Sequence, residues 1–196
     1  MISNFNHKKS YPTIVKGKIP SAFSKFTEEY LLRYIGKWNI SDDKEISTSV
    51  TINAGKEQVW EVLTEYKEYP KWNPFMVQIA GKLNAQELTK VTVRVPNVPE
   101  DFFYYALIKK EIPFEKLVWH SRLYTNELFA GKHIFTIEAM AENKVVFTHE
   151  EKYSGLLVFL IDPAFFGKAK RAINAMNNAL KKRAENLYNK YVLSEN

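Results

Sequence analysis

Residues 46–75, ISTSVTINAGKEQVWEVLTEYKEYPKWNPF, contain the change of period that organises the chain. Ile46, Thr48, Val50 and Ile52 alternate with polar or small neighbours, the pattern of a strand with one face buried. Asn53-Ala54-Gly55 then supplies turn residues. Beyond it Val59, Trp60, Val62, Leu63 and Tyr66 fall on one side of a helix, with Glu57, Glu61 and Glu65 opposite. The helix is expected to end at Tyr69-Pro70, because the residue before a proline avoids helical backbone.

Downstream, strand-like runs follow near Met76–Leu83, Leu88–Val95, Phe102–Ile112, Leu117–Leu123, Leu128–Ala139 and Val145–Tyr153. Their links are short and polar, which favours antiparallel neighbours, since parallel pairing needs a long crossover. The last element is a helix, with Asp162 as N-cap and Pro163 at the first helical position. Phe165, Ala169, Ala172, Met176, Ala179, Arg183, Leu187 and Tyr191 step along it by three and four, widened by Ile173, Leu180 and Ala184. About 28 helical residues make a rod of roughly 42 Å, enough to cross a sheet. One strand, one helix, six antiparallel strands and a long closing helix define an α+β domain with a curved sheet gripping a helix.

Upstream, residues 1–45 read as a separate extension. Phe23, Phe26, Tyr30, Tyr34 and Trp38 recur at helical spacing, with Lys25, Arg33 and Lys37 beside them. This is an amphipathic helix, read either as packed on the main domain or as a lid or interfacial surface. The expected organisation is the extension over 1–45, one ligand-binding domain over 46–191 and a tail over 192–196.

Composition narrows the chemistry. The 196 residues include no cysteine, which removes disulfides, thiolate nucleophiles and cysteine-ligated metals. No GxGxxG or GxxxxGK[ST] is present to cradle phosphates, and no GxSxG provides a nucleophile elbow. The formal charge of +6 is confined to the flanks: residues 1–45 carry +3, residues 160–196 carry +4, and the middle carries −1. A nucleic-acid reader concentrates its basic residues on a recognisable module, so no specific nucleic-acid partner is expected. The most apolar run, Leu156–Ile161, is far short of the ~20 residues that cross a bilayer, and a cytoplasmic location is the expectation. Aromatic residues make up 14% of the chain, more ring than a core of this size needs, and rings line cavities as readily as they fill cores.

The opening stretch resembles the START-related superfamily, also called SRPBCC, which includes polyketide cyclase/dehydrase-like and birch-pollen-allergen-like proteins. VWEVLT and YPKWNPF carry the likeness, with LVWHSRL (117–123), GKHIFTIEA (131–139) and THEEKYSGLL (148–157). The similarity runs from about residue 46 to 191. It implies the helix-grip fold, a curved antiparallel sheet around a long C-terminal helix, with a deep cavity between them that binds hydrophobic small molecules. One departure is at the turn, where the family often has Ala-Pro-x-Glu and this chain has Ala54-Gly55-Lys56-Glu57; it is expected to alter only the cap.

Alternation assigns the cavity face. If Phe135 and Ile137 point inward, so does His133, because side chains two apart share a face. Val145, Phe147, His149, Glu151 and Tyr153 share another such face, as do Leu117, Trp119, Ser121 and Leu123. A one-residue bulge would turn them outward. The expected ligand-binding residues are Trp119, His133, Phe135, Phe147, His149, Glu151 and Tyr153, with Met176 from the last helix. Two roles stand side by side. In one, His149 and Glu151 form a satisfied polar network that orients a ligand. In the other they act as general acid and base in a cyclisation or dehydration, with Tyr153 donating to an oxyanion.

No metal site and no cofactor are expected, because His120, His133 and His149 lie far apart with no clustered spacing. Trp60 and Trp72 are assigned to packing at the end of the sheet; Asp101, Glu111 and Glu115 to the solvated surface. The leading expectation is carriage or sensing of a lipid, quinone or polyketide. The alternatives are a cyclase/dehydratase and a peripheral module whose basic flanks meet anionic membrane or a partner. Nothing in the sequence fixes an oligomeric state.

Overall fold

The computed structural model describes residues 44–81, 85–123, 125–155, 157–158 and 161–194. The helix read over residues 21–38, and nearly all of the extension over 1–45, lies outside them. The described elements run β1 (Lys44–Ile52), α1 (Lys56–Thr64), a 3-10 turn (Tyr66–Glu68), α2 (Tyr69–Trp72), β2 (Met76–Ala80), β3 (Thr89–Val93), β4 (Phe102–Ile112), β5 (Lys116–Leu123), β6 (Thr125–Ala141), β7 (Lys144–Ser154) and α3 (Pro163–Ser194). The strands form one antiparallel sheet in the order β1-β7-β6-β5-β4-β3-β2. Six strands therefore follow one another as a meander, and the first in sequence closes against the last.

The strand assignments from alternation match these elements, with ends shifted by a few residues. The helix after the opening strand does not run to Tyr69-Pro70. It stops at Thr64, whose hydroxyl donates to the Trp60 carbonyl at 2.8 Å, and Glu65 leaves helical backbone with ψ 72°. Proline there starts an element rather than ending one: Pro70 sits in the first turn of α2, where its missing N–H has no partner to lose. Tyr66 is accordingly outside α1. At the other end, α3 continues to Ser194, into the stretch expected to be a tail. Asp162 caps α3 as expected, its Oδ1 accepting from the Ala164 N–H at 2.9 Å. The Ala54-Gly55 departure leaves Gly55 capping α1 without a side-chain hydrogen bond.

The core lies between the concave face of the sheet and α3. Ile46, Ile52, Leu117, Trp119, Phe135, Ile137, Val145 and Phe147 project from the strands; Ala169, Ala172, Ile173, Met176, Leu180 and Ala184 meet them from the helix. Small alanines on α3 let its backbone approach the sheet closely. Polar tethers fix the helix lengthwise: Asn177 Nδ2 donates to Thr48 Oγ1 at 2.8 Å, Lys181 Nζ to the Thr51 carbonyl at 2.8 Å, and Glu185 accepts from the Asn53 N–H at 2.9 Å. Arg183 pairs with Glu68 at 3.0 Å, joining α3 to the 3-10 turn. The expected surface carboxylates behave as such. Asp101 receives a two-pronged contact from Arg94 at 2.8 and 2.7 Å, Glu115 faces Lys56, and Glu111 is exposed. No helix among the described residues is long and apolar enough to cross a membrane.

Candidate functional site

Register builds the polar centre of this interior. His133 on β6 is paired directly with Glu151 on β7, and Phe135 with His149. Because His149 and Glu151 are two residues apart on one strand, both imidazoles reach the same carboxylate. His133 Nδ1 lies 2.9 Å from Glu151 Oε1, and His149 Nε2 lies 3.5 Å from the same oxygen. All three side chains are buried, with exposures of 3%, 0% and 1% for His133, His149 and Glu151. The third histidine of the domain, His120, is on the opposite, exposed face beside Lys109 and Lys132.

Of the other residues expected at the site, Trp119, Phe135, Phe147 and Met176 are fully buried around the cluster. Phe135 is the hub: its ring is 5.0 Å from Trp119 edge-on, 6.1 Å from Phe147 stacked and 4.4 Å from His149. Tyr153 is half-buried, with its ring against Phe129 and Phe166. The hydroxyl at the cluster belongs instead to Tyr104, whose ring stacks on His133 at 5.3 Å and 16°. Alternation along β4 could have found it, since Phe102, Tyr104, Ala106 and Ile108 share a face. Asn177 was also missed. It sits inside the helical stripe, four residues after Ile173 and three before Leu180, and a polar residue there is a signal in itself.

Electrostatics separates the roles. Burial acts to raise the Glu151 pKa, but the nearby imidazoles of His133 and His149 outweigh it and hold the carboxyl down to about 2. Burial pushes the His149 pKa below the usual imidazole value, against the pull of Glu151. The Tyr104 hydroxyl is pushed well up, by burial first and by the Glu151 charge second, so it stays protonated as a donor. The arrangement thus offers an ionised carboxylate, a neutral imidazole and a phenol in a dry apolar shell. That set can accept a proton, orient a polar group or ligate a cation.

A row of half-buried rings continues from Tyr153. Phe102 meets Phe165 at 6.1 Å, Phe165 meets Phe166 at 6.0 Å, and Phe166 meets Tyr153 at 5.7 Å. These residues come from the start of β4, the end of β7 and the first turn of α3. A separate open cleft of about 580 Å³ lies over β2 and β3, lined by Trp72, Val77, Thr92 and Arg94 among others, and none of the cluster residues contributes to it.

A curved antiparallel sheet wrapped on one long helix, with its polar groups buried between the two, is a helix-grip protein. The chain belongs to the family described as "Polyketide cyclase / dehydrase and lipid transport", whose sequence model matches residues 43–185. The START-related resemblance is thereby borne out, and three solved structures agree with the fold. The ZhuI aromatase/cyclase from Streptomyces sp. R1128 is 15% identical, with a TM-score of 0.58 over 73% of this chain and 94% of that one. A START superfamily protein from Mycobacterium smegmatis is 14% identical, with a TM-score of 0.59 over 73% and 98%. A norcoclaurine synthase point mutant from Thalictrum flavum, in complex with a transition-state analogue, is 15% identical, with a TM-score of 0.51 over 74% and 96%. No curated protein matches the chain.

Proposed function

We propose that the protein binds a hydrophobic or amphipathic small molecule, of the lipid, quinone or polyketide kind, between the sheet and α3. The observation that carries this reading is the row of rings Phe102, Phe165, Phe166 and Tyr153, which ends two residues from Glu151 on the same face of β7. Half-buried rings at one end of a sheet expose apolar surface that an apolar ligand would cover, worth about 25 cal/mol per Å² removed from water. The polar end of such a ligand is received by Tyr104, His149 and Glu151. Tyr153 and Phe166 are gate residues in this reading, while Trp119, His133, Phe135, Phe147 and Met176 form the packed floor beneath the ligand.

Organic extraction and native mass spectrometry of the purified full chain test it. A co-purifying or exchangeable apolar ligand is expected, with Phe166→Ala binding it more weakly while unfolding at nearly the same urea concentration. Failure of a panel of fatty acids, quinones and aromatic polyketides to bind the folded chain would refute it.

A second reading, proton transfer of the cyclase or dehydratase type, is favoured by one observation: the buried His149 imidazole lies 3.5 Å from Glu151, with Tyr104 stacked on the adjoining His133. Neutral His149 would take a proton from a carbon next to a carbonyl, the Glu151 carboxylate would stabilise the imidazolium so formed, and Tyr104 would donate to the developing oxyanion. Glu151→Gln then abolishes turnover and spares ligand binding; equal turnover removes this reading.

A further inference from the structure

The buried polar centre satisfies itself poorly. Among the described residues, His133 Nδ1, both ring nitrogens of His149 and both oxygens of Glu151 have no aligned hydrogen-bond partner, although all are shielded from water. The 2.9 Å approach of His133 to Glu151 is therefore close without pointing a ring N–H along the bond. Each unpaired buried polar group costs about 1–3 kcal/mol, and networks that only fix a fold close their own bonds. Five such atoms in one place call for an explanation, and a shared bound ion supplies one.

The two spacings from the Glu151 oxygen suit a metal ion. The three nearest ligand atoms, one from each residue, all lie within 4.8 Å of one another. Nitrogen and oxygen ligands at about 2.0–2.2 Å from one ion are separated by about 2.9 Å at right angles and about 3.4 Å at the tetrahedral angle. The observed separations from Glu151 Oε1 are 2.9 and 3.5 Å. Two imidazoles and one carboxylate suit zinc, iron(II) and their neighbours; calcium and magnesium prefer oxygen alone. The lack of clustered histidine spacing in the sequence has no bearing here, because the ligands come from adjacent strands and are joined by register.

We propose that His133, His149 and Glu151 bind one divalent transition-metal ion of the zinc and iron(II) class, through Nδ1, Nε2 and Oε1 respectively. Two orphaned groups fit the surroundings of such a site. Asn177 presses on His149 from α3 and has an unpartnered Oδ1, the acceptor that the unpartnered His149 Nδ1 requires once Nε2 holds the metal. Tyr104, stacked on His133, carries an unpartnered hydroxyl that would meet a group on the open side of the ion. The site does not depend on which molecule the row of rings admits.

The test uses the full chain, freed of metal with a chelator and then given Co²⁺, both in the native state and during refolding. One Co²⁺ per chain is expected, with visible absorption of a nitrogen and oxygen donor set that Zn²⁺ abolishes by displacement. Folded Glu151→Gln and His133→Gln lose the band and bind at least about tenfold more weakly, since loss of even an outer-shell partner costs about 10–100-fold. His120→Ala and Glu115→Gln, on the surface, leave it unchanged. The proposal is overturned if the folded wild-type chain takes up no stoichiometric Co²⁺ or Zn²⁺ at micromolar metal under either regime. A band kept by folded Glu151→Gln, or lost in His120→Ala, overturns it equally.

Discussion

Phe135→Ala separates two ways of using a ring in a helix-grip interior. A ring that lines an empty cavity touches neighbours on one side only, so its removal from ligand-free protein costs little beyond lost transfer energy. Phe135 is fully buried and surrounded by Trp119, Phe147 and His149 at ring separations of 5.0, 6.1 and 4.4 Å. That is a core environment. Truncating a phenylalanine in such a place costs about 3–5 kcal/mol, including the void left behind. The two aromatic neighbours contribute about 0.5–1.5 kcal/mol each to that total beyond buried area. With a urea slope of about 2 kcal/mol/M, the midpoint moves down by roughly 1.5–2.5 M. Urea titration of ligand-free protein, followed by tryptophan fluorescence and far-UV circular dichroism together, makes the measurement. A loss below about 1 kcal/mol would mean that the ring faces open space, and the packing account of the floor would fall.

Three further outcomes follow from single contacts. A Cβ at Gly131 would run into the Ser121 hydroxyl on the paired strand, so Gly131→Ala destabilises, and adding Ser121→Ala recovers most of the loss; a double-mutant cycle with no coupling refutes this. Tyr69→Phe removes the only hydroxyl donated to the Leu63 carbonyl among the described residues, at 2.5 Å in a buried setting, and should cost about 1–3 kcal/mol in thermal or urea unfolding; a neutral result shows that another donor serves that carbonyl. Asp162→Ala strips the cap from α3 and should cost about 1 kcal/mol, whereas Asp162→Asn retains most of it; equal losses would point to charge rather than capping.

The fold was legible because two periods are written plainly in the chain. Alternation marked each strand, and the three-four stripe from Phe165 onward marked α3 with its Asp162-Pro163 start. The end of α1 was illegible because Pro70 is equally suited to closing one helix and opening the next, and Thr64 settles the matter only through its bond to Trp60. For the site, alternation placed His133, His149 and Glu151 on the inner face. Bulges occur in the sheet at Met76/Gln78, Ile108/Lys110, Arg122/Leu123 and Ala139/Ala141, all outside the 131–137 and 145–153 pairing that carries the cluster. That the three side chains converge on one oxygen was not readable, since a pairing register is a relation between two strands and neither strand encodes it alone. Alternation named Tyr153 and passed over Tyr104 for the same reason. Both face inward, but only the second is stacked on His133.

The closing of β1 against β7 also sets a timetable. Thr48 bonds to the backbone of a residue 101 positions later and to a side chain 129 positions later. At about 5–20 residues per second of synthesis, the second of these partners follows Thr48 out of the ribosome by roughly 6–26 s. Until β7 emerges, the apolar face of β1, Ile46 and Ile52 included, has no place in the sheet. The later strands meet sequential neighbours and can pair as they emerge, so among the described strands the first made is the last to be housed. Proteolysis of ribosome-bound chains arrested before and after α3 should show β1 protected only in the longer ones. A chain of this design depends on its own far end, or on a chaperone, to keep its beginning from aggregating.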